Sequence, residues 1–144
     1  VLEKDHRKTS ELFELILDGN PDRPRDEIFQ DLKKELLIHA KAEEEVFYAP
    51  LQQQPQAQGL IPEAIAEHTE MEQKLRQLDQ MSKNSPEWET QLRTLQQSVM
   101  HHVKEEEGKI FNAAKKCFTE LQVNQMGQQM EAKKLQLLES GALR

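Results

Sequence analysis

Apolar residues recur along most of this chain at steps of three and four, the period of an α-helix with one buried face. The clearest stripe is Leu92, Leu95, Val99, His102, Glu106, Ile110 and Ala113. The same spacing predicts helices over residues 2–18, 24–48, 62–81 and 86–118, and a weaker stripe of Val123, Met126, Met130 and Leu137 predicts a fifth over about 120–139. Local signals mark the boundaries. Gly19-Asn20-Pro21 should stop the first helix, and Pro24 suits the first turn of the second. Pro50 should end that helix, ahead of a polar loop over 52–59. Ser85 can cap the fourth helix with Pro86 at its first position, and Thr119-Glu-Leu-Gln122 fits a capping box. Gly108, deep in the long fourth pattern, predicts a kink or break. Strand-type alternation is absent. The pattern is all-α: an up-down antiparallel four-helix bundle over about 2–118 with an additional C-terminal helix, in one domain spanning 1–144. The fifth helix should lie across one end of the bundle or meet another subunit.

Four of these stripes carry a residue that does not belong in a core. In the fourth helix His102 and then Glu106 fall where apolar residues should, and His39 with Glu43 repeats this in the second. His68 with Glu72 repeats it in the third, and His6 sits in the first between Leu2 and Phe13. An acid in a core is costly unless it is paired or holds a metal. In an up-down bundle two residues share a height when each lies equally far from the shared connection, and here the mismatches come to only ~3 Å at the helical rise. One central layer then holds His6, His39, His68 and His102, with Glu43 and Glu106 one turn away and Glu72 nearby. A single histidine on a helix is usually an ordinary surface or core-edge residue. Four at one height point to a metal site, with a structural hydrogen-bonded network as the bland alternative. His101 points about 100° away from His102 and reads as surface or as a support behind the ligands. Glu44, Glu45, Glu105 and Glu107 read as solvated faces, and Tyr48 as packing.

Composition narrows the partners. Charged residues make up 31% of the 144 positions, and 26 acids against 19 Lys and Arg give a net charge of -7. Nucleic acid and an anionic membrane are poor partners for such a surface. No stretch approaches the ~20 apolar residues needed to span a bilayer. Cys117 is the one cysteine, so an intrachain disulfide is impossible and a reducing, cytoplasmic setting is the simpler expectation. The chain begins at Val1 without Met, which leaves an upstream segment open. Imidazole mixed with carboxylate suits iron, manganese or zinc. Four His and two or three Glu exceed one closed four-coordinate zinc site and fit two adjacent ions bridged by carboxylates.

Taken in order, His6 in Asp-His-Arg, His39 with Glu43 in His-Ala-Lys-Ala-Glu-Glu-Glu, His68 in Glu-His-Thr-Glu and His102 with Glu106 in His-His-Val-Lys-Glu-Glu-Glu resemble the motifs of the hemerythrin-like, His-His-Glu cation-binding family. The resemblance covers the first four helices. It implies a non-haem di-iron centre, oxo- or hydroxo-bridged, inside a four-helix bundle, with His6 and His39 on one iron, His68 and His102 on the other, and Glu43 and Glu106 bridging. Where the family's oxygen carriers have a further histidine in the third helix, this chain has Glu72, a candidate oxygen ligand that would favour ferric iron over reversible carriage. The function so implied is binding or sensing of dioxygen or nitric oxide, or iron handling, by a metal-binding module rather than an enzyme. A di-iron oxidoreductase acting on peroxide or nitric oxide is one alternative. A structural or partner-binding bundle, which could be a homo-oligomer, is the other. No nucleotide loop, zinc-hydrolase motif or nucleophile triad is present.

Overall fold

The computed structural model describes residues 2–19 and 23–140, with side chains over 4–19 and 23–139. All described secondary structure is helical, in five continuous runs. Helix α1 is Leu2–Asp18. Helix α2 covers 25–52 and joins an α-helical stretch Arg25–Glu43, a π-helical turn Glu44–Tyr48 and a last turn Ala49–Gln52. Helix α3 is Ile61–Gln80. Helix α4 covers 86–117, with a π-helical turn Glu106–Ile110 between Pro86–Glu105 and Phe111–Cys117. Helix α5 is Glu120–Ser140. No described helix is long and apolar enough to cross a membrane.

The local signals work as their chemistry requires. Gly19 follows α1 with φ 81°, the left-handed conformation that only glycine adopts freely. The Trp88 amide donates to Ser85 Oγ at 3.2 Å. Thr119 and Gln122 cap each other reciprocally, at 2.8 and 3.1 Å. The turn expected at Asn20 and Pro21, and the place of the Leu2 side chain in the first stripe, lie outside the described residues. Pro50 does not end α2. It sits just past a π turn, where the i→i−4 ladder is already interrupted, so its missing N–H removes no α-helical bond that was intact. The break expected at Gly108 is the second π turn. Glycine is not its cause, because the first π turn, Glu44–Tyr48, forms with Val46 in the equivalent place.

Helix α1 packs on α2 and α3 on α4, with further contacts between α1 and α4 and between α2 and α3. Two apolar clusters result. One gathers Phe13, Ile16, Phe29, Leu32, Leu75, Leu78, Trp88 and Leu92. The other gathers Phe47, Tyr48, Leu51, Ile61, Ala64, Ile110 and Ala113. Along α2, α3 and α4 the histidines and glutamates come between residues of the first cluster and residues of the second, so a buried polar layer divides the core. Helix α5 runs mainly along a flank, with its Met126 reaching the second cluster. Its Met130 and Leu137 pack on Ile38 and Ala42, along the flank of α2.

Candidate metal centre

Each π turn starts at or just after the last residue of a His-x-x-x-Glu pair, so both pairs sit where the helix widens. His6, His39, Glu43, His68 and Glu106 are buried, with both glutamates at 0% exposure, and the His102 side chain is 12% exposed. The structure brings all six together in two overlapping groups. His6, His39, Glu43 and Glu106 form one; Glu43, His68, His102 and Glu106 form the other; within each, one ligand atom per residue lies within 4.8 Å of the rest.

The two carboxylates belong to both groups through different oxygens. Glu43 Oε2 is 3.3 Å from His39 Nε2, and its Oε1 is 3.1 Å from His68 Nε2. Glu106 Oε1 is 3.0 Å from His6 Nε2, and its Oε2 is 3.4 Å from His102 Nε2. His6 Nε2, His39 Nε2, both Glu43 oxygens and Glu106 Oε1 are shielded from solvent, yet none has a well-aligned hydrogen-bond partner. Burying such groups without partners is costly. Five atoms that converge while failing to satisfy one another fit a cation between them. Imidazole nitrogen and carboxylate oxygen are the donors that iron, manganese and zinc accept.

Behind the converging nitrogens lies a second layer of acids. His39 Nδ1 donates to Asp5 Oδ2 at 2.8 Å and His102 Nδ1 to Glu67 Oε1 at 2.7 Å. His6 Nδ1 donates to Glu107 Oε1 at 3.0 Å. Glu44 Oε2 faces His68 Nδ1 at 3.6 Å, beyond ordinary hydrogen-bond range. Every acid comes from a neighbouring helix, so the four helices interlock. The arrangement repeats with a two-fold likeness, α1 and α2 matching α3 and α4. A carboxylate on Nδ1 fixes the ring and turns Nε2 inward. Glu44 and Glu107 keep the partly solvated faces expected of them, 34% and 41% exposed, and Glu107 in addition accepts from the His6 ring. Asp5 and Glu67 carried no assignment from the sequence, although each directly precedes a layer histidine, a repeat that could have revealed them.

Tyr48 also does more than pack. Its ring stacks on His68 at 5.4 Å, and its hydroxyl donates to Glu106 Oε2. The matching position in α4 is Phe111, whose ring stacks on His6 at 6.4 Å with no hydroxyl to offer. Glu72 lies outside the cluster. Its carboxylate, 43% exposed, pairs with Arg76 at 2.6 Å, and Met71 takes the inward place three residues after His68. His101 is 64% exposed and stands 3.9 Å from Glu67.

The charges hold one another in place. Burial works against a charge on His39, but Glu43, Asp5 and Glu106 outweigh it and push its pKa up to about 10. Burial likewise opposes His102, where Glu106, Glu43 and Glu67 prevail and take it up to about 11. Burial would raise Glu43, yet His39, His102 and His68 hold it well below the usual carboxylate range. For Tyr48, burial and then the charges of Glu43 and Glu106 push the phenol up, which keeps it protonated.

The acids behind the imidazoles have a measurable consequence. Asp5→Ala and Glu67→Ala should each weaken metal binding by about 10–100-fold, read by competition with a chelator, while Glu72→Ala leaves it unchanged. An unchanged affinity in Asp5→Ala and Glu67→Ala would remove these residues from the site.

The hemerythrin HHE cation-binding domain family matches residues 1–114, which takes in all six clustered residues and stops before α5. The chain is also 33% identical over 134 residues to a DNA nickase from Nostoc sp. (strain PCC 7120 / SAG 25.82 / UTEX 2576). That alignment covers 93% of this chain but only 38% of the relative's length. No solved structure matches the chain. The chain belongs to the hemerythrin HHE cation-binding domain family.

Proposed function

We propose that this chain holds a dinuclear non-haem iron centre inside an up-down four-helix bundle and uses it to bind or sense dioxygen or nitric oxide, or to handle iron. The observation that carries this reading is the split of each buried carboxylate, one oxygen toward His6 or His39 and the other toward His68 or His102. His6 and His39 would serve one ion, His68 and His102 the other, with Glu43 and Glu106 bridging. Manganese or zinc could substitute, because the donor set suits them as well. The ring of contacts from α1 through α2, α3 and α4 back to α1 supports the bundle topology. When bound, the ions would supply redox capacity and open positions for an exogenous ligand. The protein orients the imidazoles, excludes bulk water from the carboxylates and keeps a proton on Tyr48. With Glu72 paired to Arg76, the expected bias toward ferric iron from an extra carboxylate loses its support.

Elemental analysis of freshly purified protein, together with reduced and air-exposed ultraviolet-visible spectra, tests the reading. The expected result is two irons per chain and charge-transfer bands in the oxidised form. Absence of iron, manganese and zinc after anaerobic reconstitution would overturn it.

An oxidoreductase acting on peroxide or nitric oxide is the second reading, favoured by the Tyr48 hydroxyl, a hydrogen-bond donor beside the centre. Turnover by the iron-loaded chain separates it from binding alone. A partner-binding or homo-oligomeric role would rest on α5, which exposes Leu121, Leu135 and Leu138. DNA nicking names a relative more than twice as long as the aligned segment. Two features of this chain argue against that activity here: a net charge of -7 and carboxylates too buried to meet a phosphodiester.

A further inference from the structure

The six converging donors match across the two halves of the centre, but their surroundings do not. Counting from His6 and His39 against His68 and His102, Asp5 corresponds to Glu67, Glu35 to Ser98 and Ile38 to His101. On the first half, α5 covers all three. Lys134 Nζ binds Asp5 Oδ1 at 2.7 Å and stands 3.9 Å from Glu35. Ile38, 3% exposed, is packed under Met130 and Leu137. On the second half no described helix lies over the equivalents. Glu67 is 24% and His101 64% exposed, and between α3 and α4 a cleft of about 350 Å³ has His68 and His102 themselves in its wall, beside Met71, Ser98 and Val99.

A larger cavity, about 580 Å³, lies between α5 and the ends of α2 and α4. It stops at the rings of Phe47 and Phe111 and touches none of the six clustered residues. Phe111 stands between it and His6, stacked on that imidazole. Of these two cavities, the smaller is the one lined by His68 and His102.

From this difference we propose that an exogenous small ligand reaches the centre from one side only, through the α3–α4 cleft, and binds on the His68 and His102 half. The proposal rests on the dinuclear reading above and goes further by choosing between the two ions. It needs an open position on that half, and the departure of Glu72 to Arg76 leaves α3 supplying a single donor there, His68. Helix α5, which lies beyond the matched family region, acts as the lid that makes the site one-sided.

Ser98 lies one helical turn before His102, and its Oγ accepts from Lys74 Nζ at 2.8 Å. An indole at this position would fill the cleft from a residue that is not itself one of the six converging donors. The experiment uses the iron-loaded, oxidised chain with azide as probe, followed by stopped-flow absorbance. Ser98→Trp should slow azide association and dissociation together by about tenfold or more, leaving the equilibrium constant and the iron content as in the parent. Gln97→Trp, at the exposed rim, gives a second variant that does not depend on the first one folding, and the same slowing is expected. Met126→Trp, which fills the larger cavity, should leave the rate unchanged. Parent-like azide kinetics in both cleft variants, or slowing by Met126→Trp, would overturn the proposal while leaving the dinuclear reading intact. A parent chain that takes up no iron would overturn both.

Discussion

Glu43→Ala should empty both metal positions at once, taking iron from two per chain to near none. His68→Ala, by comparison, should leave the His6 and His39 position its full protein donor set. The difference follows from which oxygen faces which ring. Glu43 gives Oε2 to the His39 side and Oε1 to the His68 side, so its removal takes one donor from each group and the charge that would neutralise two adjacent cations. Glu106→Ala should behave alike, and it also strips the Tyr48 hydroxyl of its acceptor. The metal-free protein should suffer as well. Glu43 is fully buried and is held well below the usual carboxylate range by His39, His102 and His68, so deleting it leaves cationic rings in the core with less compensation. Breaking a buried ion pair from one side costs about 3–5 kcal/mol. The histidines can relieve part of this by shedding protons, which places the expectation at the lower end. Elemental analysis reads the first effect and chemical denaturation of the metal-free variant the second. Parent-level iron in Glu43→Ala would rule out a bridging role for that carboxylate.

Much of this centre was legible because a helix converts spacing into direction. Steps of three and four placed His39, Glu43, His102 and Glu106 inward without any knowledge of their neighbours, and the structure has them there. The same rule failed at Glu72 for a plain reason. From His68, both the third and the fourth residue onward lie near the buried face, and apolar Met71 took the place on offer while Glu72 found Arg76 in solvent. Tyr48 was hidden by the π turn. At 3.6 residues per turn a residue five places on is about 140° from Glu43, whereas an i→i+5 turn brings it round to the same face. Asp5, Glu67 and Glu107 were hidden differently, since each accepts from a histidine on another helix, and a stripe drawn along one helix says nothing about the next. Helix α5 had a signal that went unused: Ile38 widens the apolar face of α2 beyond what α1 and α3 cover, and that strip is where Met130 and Leu137 settle.

Metal should stabilise this protein more at high pH than at low. The sign follows from the histidines. Burial opposes their charge, yet the surrounding carboxylates push His39 up to about 10 and His102 up to about 11. A base whose pKa is raised by folding contributes stability that is fully present below its unfolded value of about 6.5 and is lost as pH climbs through the folded value. The metal-free fold therefore leans on the protonated His39 and His102 rings among Glu43, Glu106 and the acids behind them, and it should weaken steadily from about pH 7 upward. A cation needs the same Nε2 atoms without their protons, so its binding releases protons and strengthens over the same range. The two trends reinforce each other. The gap in melting temperature between metal-loaded and metal-free protein should widen between about pH 7 and about pH 9, a span between the ordinary histidine pKa and the raised values. Calorimetric titration in buffers of different ionisation enthalpy should register proton release on metal addition at neutral pH. A gap that narrows as pH rises, or binding without proton release, would show that the rings are already neutral and that the acids around them only orient them.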